Sequence, residues 1–342
     1  MLKAGSLIAH KYEIAHLIAE GGMAELYLAK CLTKDDVHEF VAIKRLKPVF
    51  RNIKSHVELF QREAYYIITL NSPLVVKGLE LISEGSELFL VMEYILGSHI
   101  SHVSYLLKKQ RLNLRVKLAV LVGMAIARAL KVIRDWPDKD GQTLDLVHGD
   151  ISGQNIILSI DGTIKLVDFG VATTASKQQV SENQILGGTR RYMSPEQRQG
   201  KFLTQASDIY SLALVLEEII QEKLGSHGLS HIISKAKACD LRLRYSDADE
   251  LLDDLEALWL KWSGEDPQFF LCHIFENHIQ TQGRKLLLMA RLVSLTGALA
   301  LIGALVVATG THYFYPQIPE RGLQDHHCEN YGEDLVMSAH NL

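Results

Sequence analysis

Apolar and polar positions alternate through the first quarter of the chain. The runs YEIAHLIAE from Tyr12, ELYLAK from Glu25, EFVAIKRL from Glu39 and ELFLVMEY from Glu87 read as short β-strands. One run with helical spacing, VELFQREAYYIITL from Val57, interrupts them. This predicts a mainly β small lobe carrying one helix. Beyond Ser98 the period lengthens to that of helices in Arg115 to Trp136, Ala206 to Leu224 and Asp247 to Trp262. Within that part, NIILS from Asn155 and TIKLVDFG from Thr163 predict a strand pair turning at Asp161-Gly162. The expected fold class is α+β, a β-rich small lobe followed by a helical large lobe, with no internal repeat.

Hydropathy changes again near the end. LVSLTGALALIGALVVATGT, Leu292 to Thr311, carries no charge over 20 residues, and as a helix it is about 30 Å long, the thickness of a bilayer core. Arg284, Lys285 and Arg291 precede it, only Arg321 follows, and HYFY from His312 supplies interfacial aromatics. The N-terminus lacks the apolar run of a secretory signal. The expected localisation is therefore membrane, single-pass, with the N-terminal part cytoplasmic and the tail 312–342 extracytoplasmic. Residues 263–291 are the expected juxtamembrane linker and 292–311 the transmembrane helix in the lipid bilayer. Small residues around Gly303 suit helix pairing and a homodimer. In the tail, HHCE from His326 fits either a metal or interchain contact through Cys328, or a solvated segment.

Composition narrows the rest. A chain of 342 residues that is 47% apolar and 22% charged can bury a sizeable core. A net charge of −4 without a basic run gives no case for nucleic acid. The four cysteines are far apart with no CxxC, which indicates neither a zinc site nor a disulfide framework.

The charged residues suggest phosphate chemistry. Phosphoryl transfer needs a cover over the phosphates, a cation on them, metal-holding oxygens and a positioned base. Ala19-Glu20-Gly21-Gly22-Met23-Ala24 lies between two expected strands, where backbone N–H groups can approach phosphate; an ordinary hairpin is the plain alternative. Lys44 ends a strand and Glu63 sits on the helix, a spacing that fits a phosphate clamp or two solvated charges. Asp150 and Asn155 lie in one loop beside His148, and Asp168-Phe169-Gly170 follows a strand. In these roles Asp150 accepts the proton of the attacking hydroxyl, while Asn155 and Asp168 hold metal.

In order and spacing, EGGMAELYLAK, VAIK, FQREA, LVMEY, HGDISGQN, IKLVDFG, GGTRRYMSPEQ, SDIYSLALVLEE and RYSDADELL resemble the bacterial eukaryotic-like Ser/Thr protein kinases. The resemblance covers roughly Tyr12 to Trp262. It implies the two-lobe protein-kinase fold, small lobe 12–95 and large lobe 96–262. It also implies ATP with Mg2+, or Mn2+ as an alternative, and protein substrates bearing Ser or Thr. By this resemblance Lys44, Asp150, Asn155 and Asp168 are catalytic and Asn155 and Asp168 hold metal. The nucleotide would contact residues 19–24, Leu26, Ala42, Lys44, Glu63, Met92, Glu93 and Ile95. Met92 would be the gatekeeper, Glu93 to Ile95 the adenine-facing hinge, and Val41 a member of the adenine-pocket strand. Asp208 would anchor the catalytic loop, Glu196 would pair with Arg244, and Thr189 would pack beside Asp150. Thr173, Thr174, Ser176 and Ser181 are the expected autophosphorylation sites.

Four departures stand out. Ala19 and Ala24 replace glycines of the cover loop, and Gly149 replaces the arginine that grips a phosphorylated activation loop. Ser152 replaces a lysine that assists the γ-phosphate. About a dozen residues are expected between the helix ending near Lys223 and the one starting near Ser230, too few for a peptide-docking helix. A membrane-tethered nucleotide-binding pseudokinase is the alternative, and a small-molecule kinase is a further one. GT at Gly188-Thr189 and SPE at Ser194 to Glu196 favour a protein substrate.

Overall fold

A computed structural model describes residues 1–33, 39–137, 141–174, 190–222, 228–262 and 266–276. The expected membrane helix, the tail, Thr189 and the sites Ser176 and Ser181 lie outside them. Among the described residues no helix is long and apolar enough to cross a membrane.

Strands β1 (Leu7–Ile8), β2 (Tyr12–Glu20), β3 (Ala24–Cys31), β4 (Phe40–Leu46), β5 (Gly78–Glu84) and β6 (Glu87–Glu93) form one antiparallel sheet in the order β1-β2-β3-β4-β6-β5. Helix α1 (Lys54–Thr69) enters between β4 and β5, as its spacing predicts. Alternation along β4 separates two environments. Val41 and Ile43 face an outer core with Tyr27, Phe89 and Val91. Ala42 and Lys44 face the other way, opposite Met92 and Leu90 on β6. Val41 thus lies on the expected strand, and the two-residue period puts its side chain on the face opposite that of Ala42 and Lys44.

The large lobe is built on α3 (Leu112–Arg134), preceded by β7 (Gly97–His99) and α2 (Ile100–Leu107). Then come β8 (Leu146–Val147), β9 (Ile156–Ser159), β10 (Ile164–Leu166) and β11 (Thr173–Thr174). The helices α4 (Pro195–Arg198), α5 (Gln205–Ile220), α6 (Gly228–Ala236), α7 (Ala248–Trp262) and α8 (Pro267–Ile274) complete it. The strand pair at Asp161-Gly162 is present, and β7 joins it as a third strand that the sequence pattern does not announce. One core runs from α1 through α3 and α5 to α8, so both lobes are welded along the cleft.

Two expectations change. Helix α5 stops at Ile220 because Gln221 turns left-handed at φ 57°, and α6 begins at Gly228. Seven positions lie between these bounds, fewer than the dozen expected, and 223–227 of them lie outside the described residues. The expected linker begins as a docked helix, since Phe270, Leu271 and Ile274 of α8 are buried. Cys31 and Cys272, two of the four cysteines, form no disulfide.

Candidate active site

Lys44 sits mid-sheet, opposite Leu26 on β3 and Leu90 on β6, so its backbone is fixed on both sides. Its Nζ donates to Glu63 Oε1 at 2.6 Å and to Asp168 Oδ1 at 3.0 Å. Three chain segments therefore meet on one ammonium. Burial opposes the charge on Lys44, but Asp168 and Glu63 outweigh it and hold the pKa above its ordinary value. Burial pushes Glu63 up to about 7 against the pull of Lys44. The Lys44 charge draws Asp168 down to about 2, so its carboxylate is ionised.

Asp168 is 47% exposed to the cleft and adopts φ 66°, a left-handed backbone that a residue with a Cβ rarely takes. That turn lets Gly170 N donate to Asp168 Oδ1 at 3.2 Å. Beside it Phe169 is buried and meets the His148 ring edge-on, centroids 4.7 Å apart. Burial lowers the His148 pKa to about 4. The ring is neutral at pH 7, and its Nδ1 accepts from Asp150 N at 3.2 Å.

The loop is hung from α5. Asp208, buried, accepts from His148 N and from Gly149 N, both at 2.8 Å, through separate oxygens. Burial raises its pKa to about 7 despite those bonds. Asn155 Nδ2 donates at 2.9 Å both to the Asp150 carbonyl and to Asp150 Oδ2, fixing the carboxylate. Val167 N donates to Asn155 O at 2.9 Å, so β9 and β10 deliver Asn155 and Asp168 side by side.

Over the cleft, Gly21 N donates to Ala24 O at 2.9 Å and closes the turn between β2 and β3. Ala19 pairs with Leu26, Glu20 is tied to Lys47 at 2.7 Å, and Met23 and Ala24 pack on the main core. A Cβ on Gly22 would meet nothing within 4 Å, which leaves room for a phosphate against the backbone. Leu26, Ala42 and Met92 share the face of Lys44. At the edge, Ile95 packs on the core and Glu93 Oε1 accepts from Lys77 N at 2.8 Å and Lys165 Nζ at 2.6 Å. The Glu93 amide is itself engaged by Lys77 O at 2.9 Å. The oxygen donors of Asp168 and Asn155 are hard ligands of the kind Mg2+ takes together with phosphate oxygens. The donor set fits that ion.

The protein kinase domain family matches residues 12–257. The chain belongs to this family. Among curated kinases it is 29% identical over 282 residues to a probable serine/threonine-protein kinase of Clostridium perfringens, covering 74% of this chain and 39% of that one. It is 34% identical over 210 residues to the tyrosine-protein kinase MasK of Myxococcus xanthus, covering 61% and 32% respectively. The chain thus spans about a third to two fifths of these relatives' length. The crystal structure of the Mycobacterium tuberculosis PknI kinase domain superposes with a TM-score of 0.55 at 20% identity, covering 75% of this chain and all of that one. That likeness concerns the fold.

As a kinase domain the chain also shows features that sequence reasoning missed. Glu196 pairs with Arg244 at 2.7 Å as expected, and Ser207 Oγ adds a bond to Glu196 at 2.7 Å. Next to it, Gln197 Nε2 donates to the Gly149 carbonyl at 2.7 Å. Only its place directly after SPE signals it. Gly149 has φ +78°, so its glycine has a backbone role besides lacking a guanidinium. Ser152 is fully buried and its hydroxyl has no partner among the described residues, so it is not exposed to the cleft as a lysine head group would be. Thr173 is buried in β11 against Val147, so this conformation does not present it for phosphorylation.

Proposed function

We propose that this domain transfers the γ-phosphoryl group of ATP to Ser or Thr hydroxyls of proteins, itself included. The observation that carries the reading is Lys44 bonded at once to Glu63 and Asp168, across from an Asp150 carboxylate held by Asn155. Lys44 neutralises the α- and β-phosphates, and the 19–24 turn covers them. Leu26, Ala42 and Met92 line the adenine side with the strand end at Glu93 to Ile95. Asp150 orients the acceptor hydroxyl and takes its proton as the oxygen bonds to phosphorus and the bond to ADP breaks. Asn155 and Asp168 would hold Mg2+, or Mn2+, which supplies charge neutralisation at the transferring phosphate. The absence of a gripping arginine at Gly149 suits a domain that is active without loop phosphorylation.

In this reading residues 12–262 are the catalytic unit, 292–311 cross a bilayer, and the tail is extracytoplasmic. Paired membrane helices bring two domains together for phosphorylation in trans. The uncharged 20-residue stretch and the basic residues before it support the anchoring.

The deciding experiment follows label from [γ-32P]ATP into the full chain and a generic protein, with Asp150→Asn as control, and identifies the phosphorylated amino acid. Phosphoserine or phosphothreonine that vanishes in the control is expected. Phosphotyrosine overturns the acceptor assignment. ATP binding without transfer returns the chain to a tethered pseudokinase.

A further inference from the structure

Helix α8 lies beyond the family match, which ends at residue 257. Its start is well defined: Pro267 is in the first turn and Asp266 Oδ1 accepts from Phe269 N at 2.9 Å. Phe270 meets Trp259 of α7 edge-on at 6.3 Å and carries Lys117 Nζ of α3 over its ring at 5.5 Å. The other flank lies on the turn between β9 and β10. Gln268 Nε2 donates to Asp161 O at 3.1 Å. A Cβ on Gly162 would sit 2.9 Å from both Cys272 Sγ and Gln268 O. Only a glycine leaves room for this helix.

That turn is one end of a short lever whose other end carries Asn155 and Asp168. A four-residue strand such as β9 is about 13 Å long, and the Val167 to Asn155 bond closes the far end. The turn end is also bonded to the hinge. Ile160 N and Ser159 Oγ both donate to Leu96 O, at 3.0 and 3.1 Å. From β10, Lys165 reaches Glu93 at 2.6 Å. Helix α8, the hinge end and the hairpin that delivers Asn155 and Asp168 therefore meet around residues 159–165.

We infer that α8 is a positioning element of the nucleotide site, with Gln268 and Cys272 as the positioning residues. By fixing the 159–163 turn it sets Leu96, the residue next to the hinge at 93–95, and, through the hairpin, Asn155 and Asp168. The inference rests on reading the cleft as an ATP site.

The test is equilibrium binding of ATP-Mg2+ to the full chain in detergent, with hydrogen exchange and thermal midpoints measured alongside. Cys272→Phe wedges α8 away from Gly162, Cys272→Ala does not, and Gln268→Ala removes one bond. Cys272→Phe is expected to weaken ATP about fivefold and to raise exchange across 155–168 at a temperature where the melt shows the chain still fully folded, with Cys272→Ala matching the wild type. If exchange shows that Cys272→Phe leaves α8 docked, the paired change Phe270→Asp with Leu271→Asp takes its place. An unaltered ATP affinity in a variant whose α8 has been released overturns the inference. So does a loss of affinity that simply follows the midpoint. A wild-type chain that binds no ATP overturns the cleft reading instead, and exchange at 155–168 then reports on α8 by itself.

Discussion

Gln197 donates to the carbonyl of Gly149 at 2.7 Å, joining the end of the activation segment to the residue before the candidate base. Asp208 holds the same peptide segment from the other side through the Gly149 amide. Residue 149 is thus gripped by its backbone alone. This offers a physical account of how the loop stays ordered without an arginine there.

Replacing Gln197 by Ala leaves a buried carbonyl without a partner, a loss of about 1–3 kcal/mol. The 149–150 peptide is then held only through Asp150 N on His148 Nδ1, and Asp150 is placed less firmly. The expected outcome is a fall in kcat of about tenfold with little change in KM for ATP. Steady-state kinetics check it, and an unchanged kcat would remove Gln197 from the positioning scheme.

Gly149→Ala tests the backbone role separately. A Cβ there would lie 3.4 Å from the Val171 carbonyl, tight but not clashing, while φ +78° remains unfavourable for any L side chain. The expected cost is about 1 kcal/mol, a thermal midpoint lowered by about 2–4 °C for a domain of this size. A melt superimposable on the wild type would contradict a left-handed Gly149.

Acidity should move activity and stability in opposite directions. Glu63 has a pKa near 7 in the fold, well above the ordinary 4.5. The folded state therefore holds a proton that the unfolded chain has lost between those values. Its contribution to stability is complete below about 4.5 and is lost as pH rises through 7, up to roughly 3 kcal/mol. The Lys44 clamp needs the ionised carboxylate, so transfer should rise over the same window. Rate and urea midpoint against pH, for the wild type and Glu63→Gln, check both slopes. The variant should lose the acid limb of activity but keep part of the stability slope, because Asp208 is also raised to about 7.

Periodicity placed β2, β3, β4, β6, α1 and the β9–β10 hairpin, while the two-residue β1 and the strand β5 show no pattern that announces them. Strand β7, of three residues, is too short to show a period and exists because β9 offers it an edge. The site was legible where a motif names a residue type: Lys44, Glu63, Asp150, Asn155 and Asp168 converge as their spacing implies. Gln197, Lys165 and Gln268 are ordinary polar residues in the chain. Their roles depend on what lies opposite them.

What the sequence alone determined is the succession of a β-rich lobe and a helical lobe, the family resemblance and the five candidate groups of the cleft, since local period and fixed motif spacing carry that information. Tertiary structure decided the rest. It turned Val41 outward, buried Ser152, made Gly149 a backbone requirement and seated α8 on Gly162. Each of these depends on contacts between residues distant in the chain, where burial and steric exclusion act and no local pattern records them.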